Sequence, residues 1–202
     1  MKKLFISFLM LFTSVSVFAD SPITSTEFAA AYKDVPIVAK MISLNGNVVT
    51  DELIKYLADD NNPIDVKVAA INAVNFDKDV YTPFMNYLKT KWGTNSEITV
   101  LKNINASTAG ALAYARARYY YMDLGEAYIL CNIAYGKDSS SLTINMVYAL
   151  VATTEIMDYN FCDVYRLCYS VISDNNLKQD IRVQAISMMM DYINLYKDDC
   201  NE

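Results

Sequence analysis

Residues 59–74 read DDNNPIDVKVAAINAV, and residues 173–189 read SDNNLKQDIRVQAISMM. Each begins with a polar Asp-Asn-Asn turn and runs on as acid, aliphatic, base, Val, any residue, Ala, Ile. In the first copy these are Asp65, Val66, Lys67, Val68, Ala69, Ala70 and Ile71. In the second they are Asp180, Ile181, Arg182, Val183, Gln184, Ala185 and Ile186. On a helix, Val66 and Ala70, or Ile181 and Ala185, fall on one face at i and i+4. The small alanine admits a neighbouring helix closely, and an acid in the first turn suits the positive helix end.

The same logic extends over most of the chain. Glycine and proline number only five and four, apolar residues recur at three and four, and no period-2 stretch competes. Helix starts are marked by Thr24-Ser25-Thr26-Glu27 as a capping box, by Thr50 before Asp51 and Glu52, and by Asn62-Pro63. Asn160 with Asp163 and Asn176 with Gln179 repeat the signal. Helices are therefore expected near 25–33, 36–44, 51–59, 63–75, 79–90, 97–104, 107–122, 124–135, 141–157, 161–172 and 177–196. Short polar links make consecutive helices antiparallel.

The Asp-aliphatic-base-x-x-Ala core of both segments resembles the second helix of a HEAT-type repeat. The resemblance implies an all-α chain of stacked antiparallel helical hairpins, a right-handed α-solenoid. The interval from Asp65 to Asp180 holds three units of HEAT length. Weaker copies start near Thr108, with Ala113 at the alanine position, and near Thr143, where Tyr148 takes it. Both lack the acid and the base. A different all-helical bundle shares most of these features.

Composition narrows the chemistry. The chain holds 17 Lys and Arg against 23 Asp and Glu, a formal charge of −6, and no histidine. An acidic surface repels nucleic acid and anionic lipid, so neither is expected as a partner. Without histidine no Ser-His-Asp or Cys-His site exists in the chain. No phosphate-binding loop, dinucleotide fingerprint or nucleophile elbow is present, and no cofactor or metal is expected. Asp59-Asp60-Asn61-Asn62 with Asp65 offers oxygen ligands but lacks the glycine and distal glutamate of an EF-hand loop.

Lys2 and Lys3 precede an apolar run from Leu4 to Val17, and Val17-Phe18-Ala19 ends it with a cleavable triplet. This is the anatomy of a secretory signal peptide over 1–19, with a single helical domain over 20–202. A retained membrane anchor is the alternative. Export to the periplasm or beyond makes the four cysteines, Cys131, Cys162, Cys168 and Cys200, candidates for two disulfides. Cys162 and Cys168 cannot pair while one helix holds both. A bridge from Cys200 would pin the tail, and buried free thiols are the other reading.

The most unusual stretch is Ala115-Arg116-Ala117-Arg118-Tyr119-Tyr120-Tyr121. Arg116 and Tyr120 share a helix face and belong to the residue types that dominate interfaces, so they are the candidate partner-binding pair. Their other reading is bracing between helices. The expected function is non-enzymatic binding of an unidentified protein partner, because helical arrays present extended surfaces. A periplasmic immunity protein that neutralises a secreted toxin is a second reading. A hydrolase working with carboxylates alone is a third, and it calls for a cleft with two acids about 5–10 Å apart.

Overall fold

A computed structural model describes residues 21–201. The signal-peptide reading falls on residues outside that range. Among the described residues the chain is all-helical. The helices are α1 (Pro22–Ser25), α2 (Pro36–Ser43), α3 (Asp51–Leu57), α4 (Ile64–Asn72), α5 (Tyr81–Lys91) and α6 (Glu97–Asn103). They continue as α7 (Ala106–Tyr119), α8 (Gly125–Lys137), α9 (Leu142–Ile156), α10 (Phe161–Ile172) and α11 (Val183–Ile193). Short 3-10 turns occupy Ala29–Tyr32 and the stretch after α11.

Neighbouring helices stack as hairpins, α7 against α8 and α9 against α10 most closely. Three helices, α4, α7 and α9, run parallel as a middle layer. Asn105 and Ser107 bond to Asp60 and Asn62 at one end, while Arg118 bonds to Val74 at the other. α5, α8 and α10 cover one face of this layer. α1, the 29–32 turn and α2 cover the other, and α11 packs on α1 and the 29–32 turn and against α10.

Burial on both faces explains the composition of the middle layer. Every residue of α4 except Asp65 is buried, as is every residue of α7 from Thr108 to Arg118. A helix buried all round has no polar stripe, and small residues set how close its neighbours come. Gly110 of α7 shows the limit, because a Cβ there would stand 2.8 Å from Cδ1 of Ile64 on α4. Ala70 and Ala185 are both fully buried. Asp65, Thr108 and Thr143, the positions that open three of the repeat copies, lie in the first turns of α4, α7 and α9.

Two expected helices are not formed as expected. The chain over 25–33 ends α1 at Ser25 and turns instead. The backbone N–H groups of Phe28 and Ala29 donate to Oδ1 of Asn72 at 2.8 and 2.9 Å, and Asn72 Nδ2 donates to the Thr26 carbonyl at 2.9 Å. A buried side chain thus supplies the partners that a helix would supply locally. The last helix starts at Val183, not near 177, and ends at Ile193. Asp180 is drawn away to cap α9, where its Oδ1 accepts from the Thr143 N–H at 2.9 Å and from Thr143 Oγ1 at 3.0 Å. Pro63 also acts as the N-cap of α4 itself, one place earlier in the helix frame than expected.

Candidate functional site

Arg116 lies in the last turn of α7, and its side chain is only 7% exposed. Its Nε donates to Oε2 of Glu126 on α8 at 2.7 Å, and Nη1 donates to the Asp123 carbonyl at 3.3 Å. The guanidinium carbon lies 3.7 Å from the centre of the Tyr120 ring and 5.8 Å from that of Tyr81 on α5. Tyr81 donates its hydroxyl to the other Glu126 oxygen. Burial pushes Glu126 up, but the bonds from Arg116 and Tyr81 outweigh it and hold the carboxyl below its ordinary value. Burial and Glu126 together push the Tyr81 phenol well above its ordinary value. Arg116 and Tyr120 are brought together as anticipated, but their contacts tie α5, α7 and α8 to one another.

The cysteines divide. Cys162 and Cys200 stand at disulfide distance, with Cα atoms 4.7 Å apart, and the bridge holds the tail against α10. Cys131 and Cys168 are free and buried, so the second of two expected bridges is not formed. Burial pushes both thiols up to about 12, which leaves them protonated and unreactive at neutral pH. Among the described residues no group of three Cys, Asp or Glu is placed to hold a metal ion.

A different region has the geometry of a site. The N-termini of α4, α7 and α9 open along one edge of the middle layer. The segment 178–182 crosses in front of them, and a groove of about 640 Å³ lies between. Its apolar side is Ile64, Val66, Ile144 and Ile181, and its polar side is Asp65, Ser107, Lys178, Gln179 and Asp180. First-turn N–H groups have no partner inside their own helix, and three such ends face the same space. The crossing segment is held by a bridge between Ser141 and Lys178. In it the Lys178 N–H donates to the Ser140 carbonyl at 2.7 Å, and the Leu142 N–H donates to the Lys178 carbonyl at 3.1 Å. Next along, neither backbone group of Gln179 is hydrogen-bonded among the described residues.

Arg182 fixes the far end of this segment. Its guanidinium donates to both oxygens of Asp34, at 2.5 and 3.1 Å, and to the Ala31 carbonyl at 2.8 Å. It also lies 4.5 Å from the centre of the Tyr32 ring. The Tyr32 hydroxyl accepts the Arg182 N–H at 3.1 Å and hydrogen-bonds the Asp65 carboxyl. Burial raises Asp65 above its ordinary value, nearby Asp180 adds to that, and the bonds from Tyr32 and Val66 offset only part.

Beneath the groove lies Lys67, fully buried. Its Nζ donates to Thr108 Oγ1 at 2.9 Å, and Thr108 donates to Oδ1 of Asp60 at 2.7 Å. Burial pushes the amine down to about 8, against the pull of the Asp60 and Asp59 charges.

Tyr32 carries no motif that marks it as part of a site, and Gln179 is expected only as the capping partner of Asn176. The signal in the sequence is the repeated core, whose acids Asp65 and Asp180 and base Arg182 all line the groove, the last two being expected inside a helix. No family model, curated protein or solved structure matches the chain.

Proposed function

We propose that this chain is an exported helical-repeat protein of HEAT-like type that binds a protein partner without catalysing a reaction. In this reading the partner enters as an extended segment along the groove at the N-terminal edge of α4, α7 and α9. The observation that carries it is the open side of Gln179. Gln179 is the centre of a tight turn closed by the Asp180 N–H on the Lys178 carbonyl at 2.8 Å, and its own N–H and C=O stay free beside an apolar floor, where an incoming segment can hydrogen-bond. The compartment rests on Lys2-Lys3, the apolar run and the disulfide-distance pair.

The test places a photo-crosslinking residue at Gln179, and separately at Glu52, an exposed residue of α3 outside the groove, in the native host. A single polypeptide species attached at 179 and not at 52 is expected, with Ala106→Trp, which fills the groove, abolishing it. Equal attachment at both positions, or attachment unchanged by Ala106→Trp, defeats the reading.

One observation favours a carboxylate hydrolase instead. Asp65 and Asp180 line the same groove, and a carboxylate-only hydrolase needs two acids facing one cleft. Asp180 is committed to capping Thr143, however, and Asp65 to Tyr32, which places binding first. Turnover of a glycoside or peptide substrate that disappears in Asp65→Asn reverses that order.

A further inference from the structure

A second pocket, separate from the groove, lies where α8, α9 and α10 meet. It has a volume of about 290 Å³ and no charged lining side chain, on a chain whose formal charge is −6. Tyr135 and Tyr148 form its aromatic wall, with ring centres 6.4 Å apart and planes at 66°. Leu167 and Val171 supply an aliphatic floor, and Asn132 and Asn145 stand at the rim.

The two amides are oriented by their other bonds. Asn145 Nδ2 donates to the Ser139 and Ser141 carbonyls at 3.0 and 2.8 Å, which uses both of its hydrogens and leaves Oδ1 as a free acceptor. Asn132 Oδ1 accepts the Tyr148 hydroxyl at 3.3 Å, which leaves its NH₂ as a free donor. Tyr135 is 46% exposed, so its ring face is open to a ligand.

We propose that this pocket binds an uncharged saccharide. A sugar ring has an apolar C–H face for the tyrosine and hydroxyls that both give and accept hydrogen bonds. One fixed donor and one fixed acceptor beside an aromatic face match that chemistry. A proline-rich segment would also stack on the tyrosines, but it has no N–H for Asn145 Oδ1. The absence of lining charge selects against acidic sugars and charged peptides. This site is independent of the partner groove.

The test uses saturation-transfer NMR on the intact protein as purified, with methyl glycosides of neutral hexoses and their disaccharides as probes. Transfer to ring C–H protons is expected at about 1 mM ligand, the affinity range of so few contacts. The side-chain amide signals of Asn132 and Asn145 should shift on titration, a readout that requires no variant. Tyr135→Ala and Asn145→Ala should each weaken binding by about tenfold. The proposal is overturned by no transfer from any probe, by amide signals of Asn132 and Asn145 that stay still, or by displacement of the sugar by a polyproline peptide that binds more tightly.

Discussion

The two ends of the middle layer are built in opposite ways. At the C-terminal edge Arg118 closes the end of α4 from inside, donating to the Val74 carbonyl at 3.1 Å, and it also donates to the Ile23 carbonyl of α1 at 3.3 Å and the Tyr114 hydroxyl at 3.4 Å. Arg116 closes the same turn of α7 through Glu126. At the N-terminal edge the positive ends of α4, α7 and α9 open into the groove, with Asp65 raised by burial and Lys67 buried beneath. Cations stand where the helix dipoles favour them at one edge, and a buried cation stands where they oppose it at the other. The comparison separates an edge closed by cations on carbonyls from one whose polar groups are bonded to one another around an open groove.

The sharpest way to break this comparison is Arg118→Met. It keeps most of the volume but leaves the buried Ile23 and Val74 carbonyls without their donor. The loss should be about 3 kcal/mol or more, seen as a lower urea midpoint at constant slope. A change under about 0.5 kcal/mol, the scale of surface substitutions, would mean water takes over the bonds and the edge is not closed from inside.

Lys67 gives the next largest effect, through pH. A base whose folded value is depressed binds fewer protons in the native state than unfolded, so stability rises as pH climbs from about 8 toward the ordinary lysine range. The full gain is on the order of 3 kcal/mol. Burial raises the phenols of Tyr32, Tyr81 and Tyr128. Their contribution is complete below the unfolded tyrosine value of about 10 and is lost above it. The buried Cys131 and Cys168 thiols are raised as well, and their contribution is lost from the unfolded thiol value of about 8.5 to 9 upward. Two thiols outweigh one amine, so chemical denaturation should show a stability maximum at roughly pH 8.5 to 9. In Lys67→Met the rise toward that maximum should vanish and the fall above about pH 9 should steepen. Curves for the natural chain and Lys67→Met that run parallel from pH 8 to 10 would contradict the depressed amine.

Ala70→Leu and Ala185→Leu probe the packing between these edges. Both alanines are fully buried at helix contacts, so overpacking should cost about 1–3 kcal/mol each. Unchanged urea midpoints would show that the neighbouring helices yield without strain.

Local signals foretold most of the helices because their caps act locally. Thr50 accepts from the Leu53 N–H, and Asn160 accepts from the Asp163 N–H, as their positions in the sequence suggested. The burial of Ala70 and Ala185 was readable from period alone. Residues 25–33 and 177–182 were misread because their backbone bonds go to Asn72, Ser140 and Thr143, far away along the chain. The groove was illegible for the same reason. It exists because Tyr32 and Arg182, distant in sequence, hold the crossing segment open. Arg116 and Tyr120 were legible as a pair, but the acids that occupy Arg116 were not.

The smallest expected effect is at Asp65, and it bears most directly on the contrast between the edges. An acid whose folded value is raised contributes stability only below its unfolded value, and that contribution is lost as pH rises through the folded value. At neutral pH the ionised Asp65 therefore costs the fold something. Asp65→Asn keeps the shape, removes the charge, and should leave the urea midpoint unchanged or slightly raised, within about 1 kcal/mol. At pH 3 the variant and the natural chain should converge, since both are then neutral at this position. Substituting Asp65 without loss while Arg118→Met is costly would mark the N-terminal edge as kept for something other than stability. A clear loss in Asp65→Asn at neutral pH would show that the Tyr32–Asp65 bond needs the charge, and both edges would then be structural.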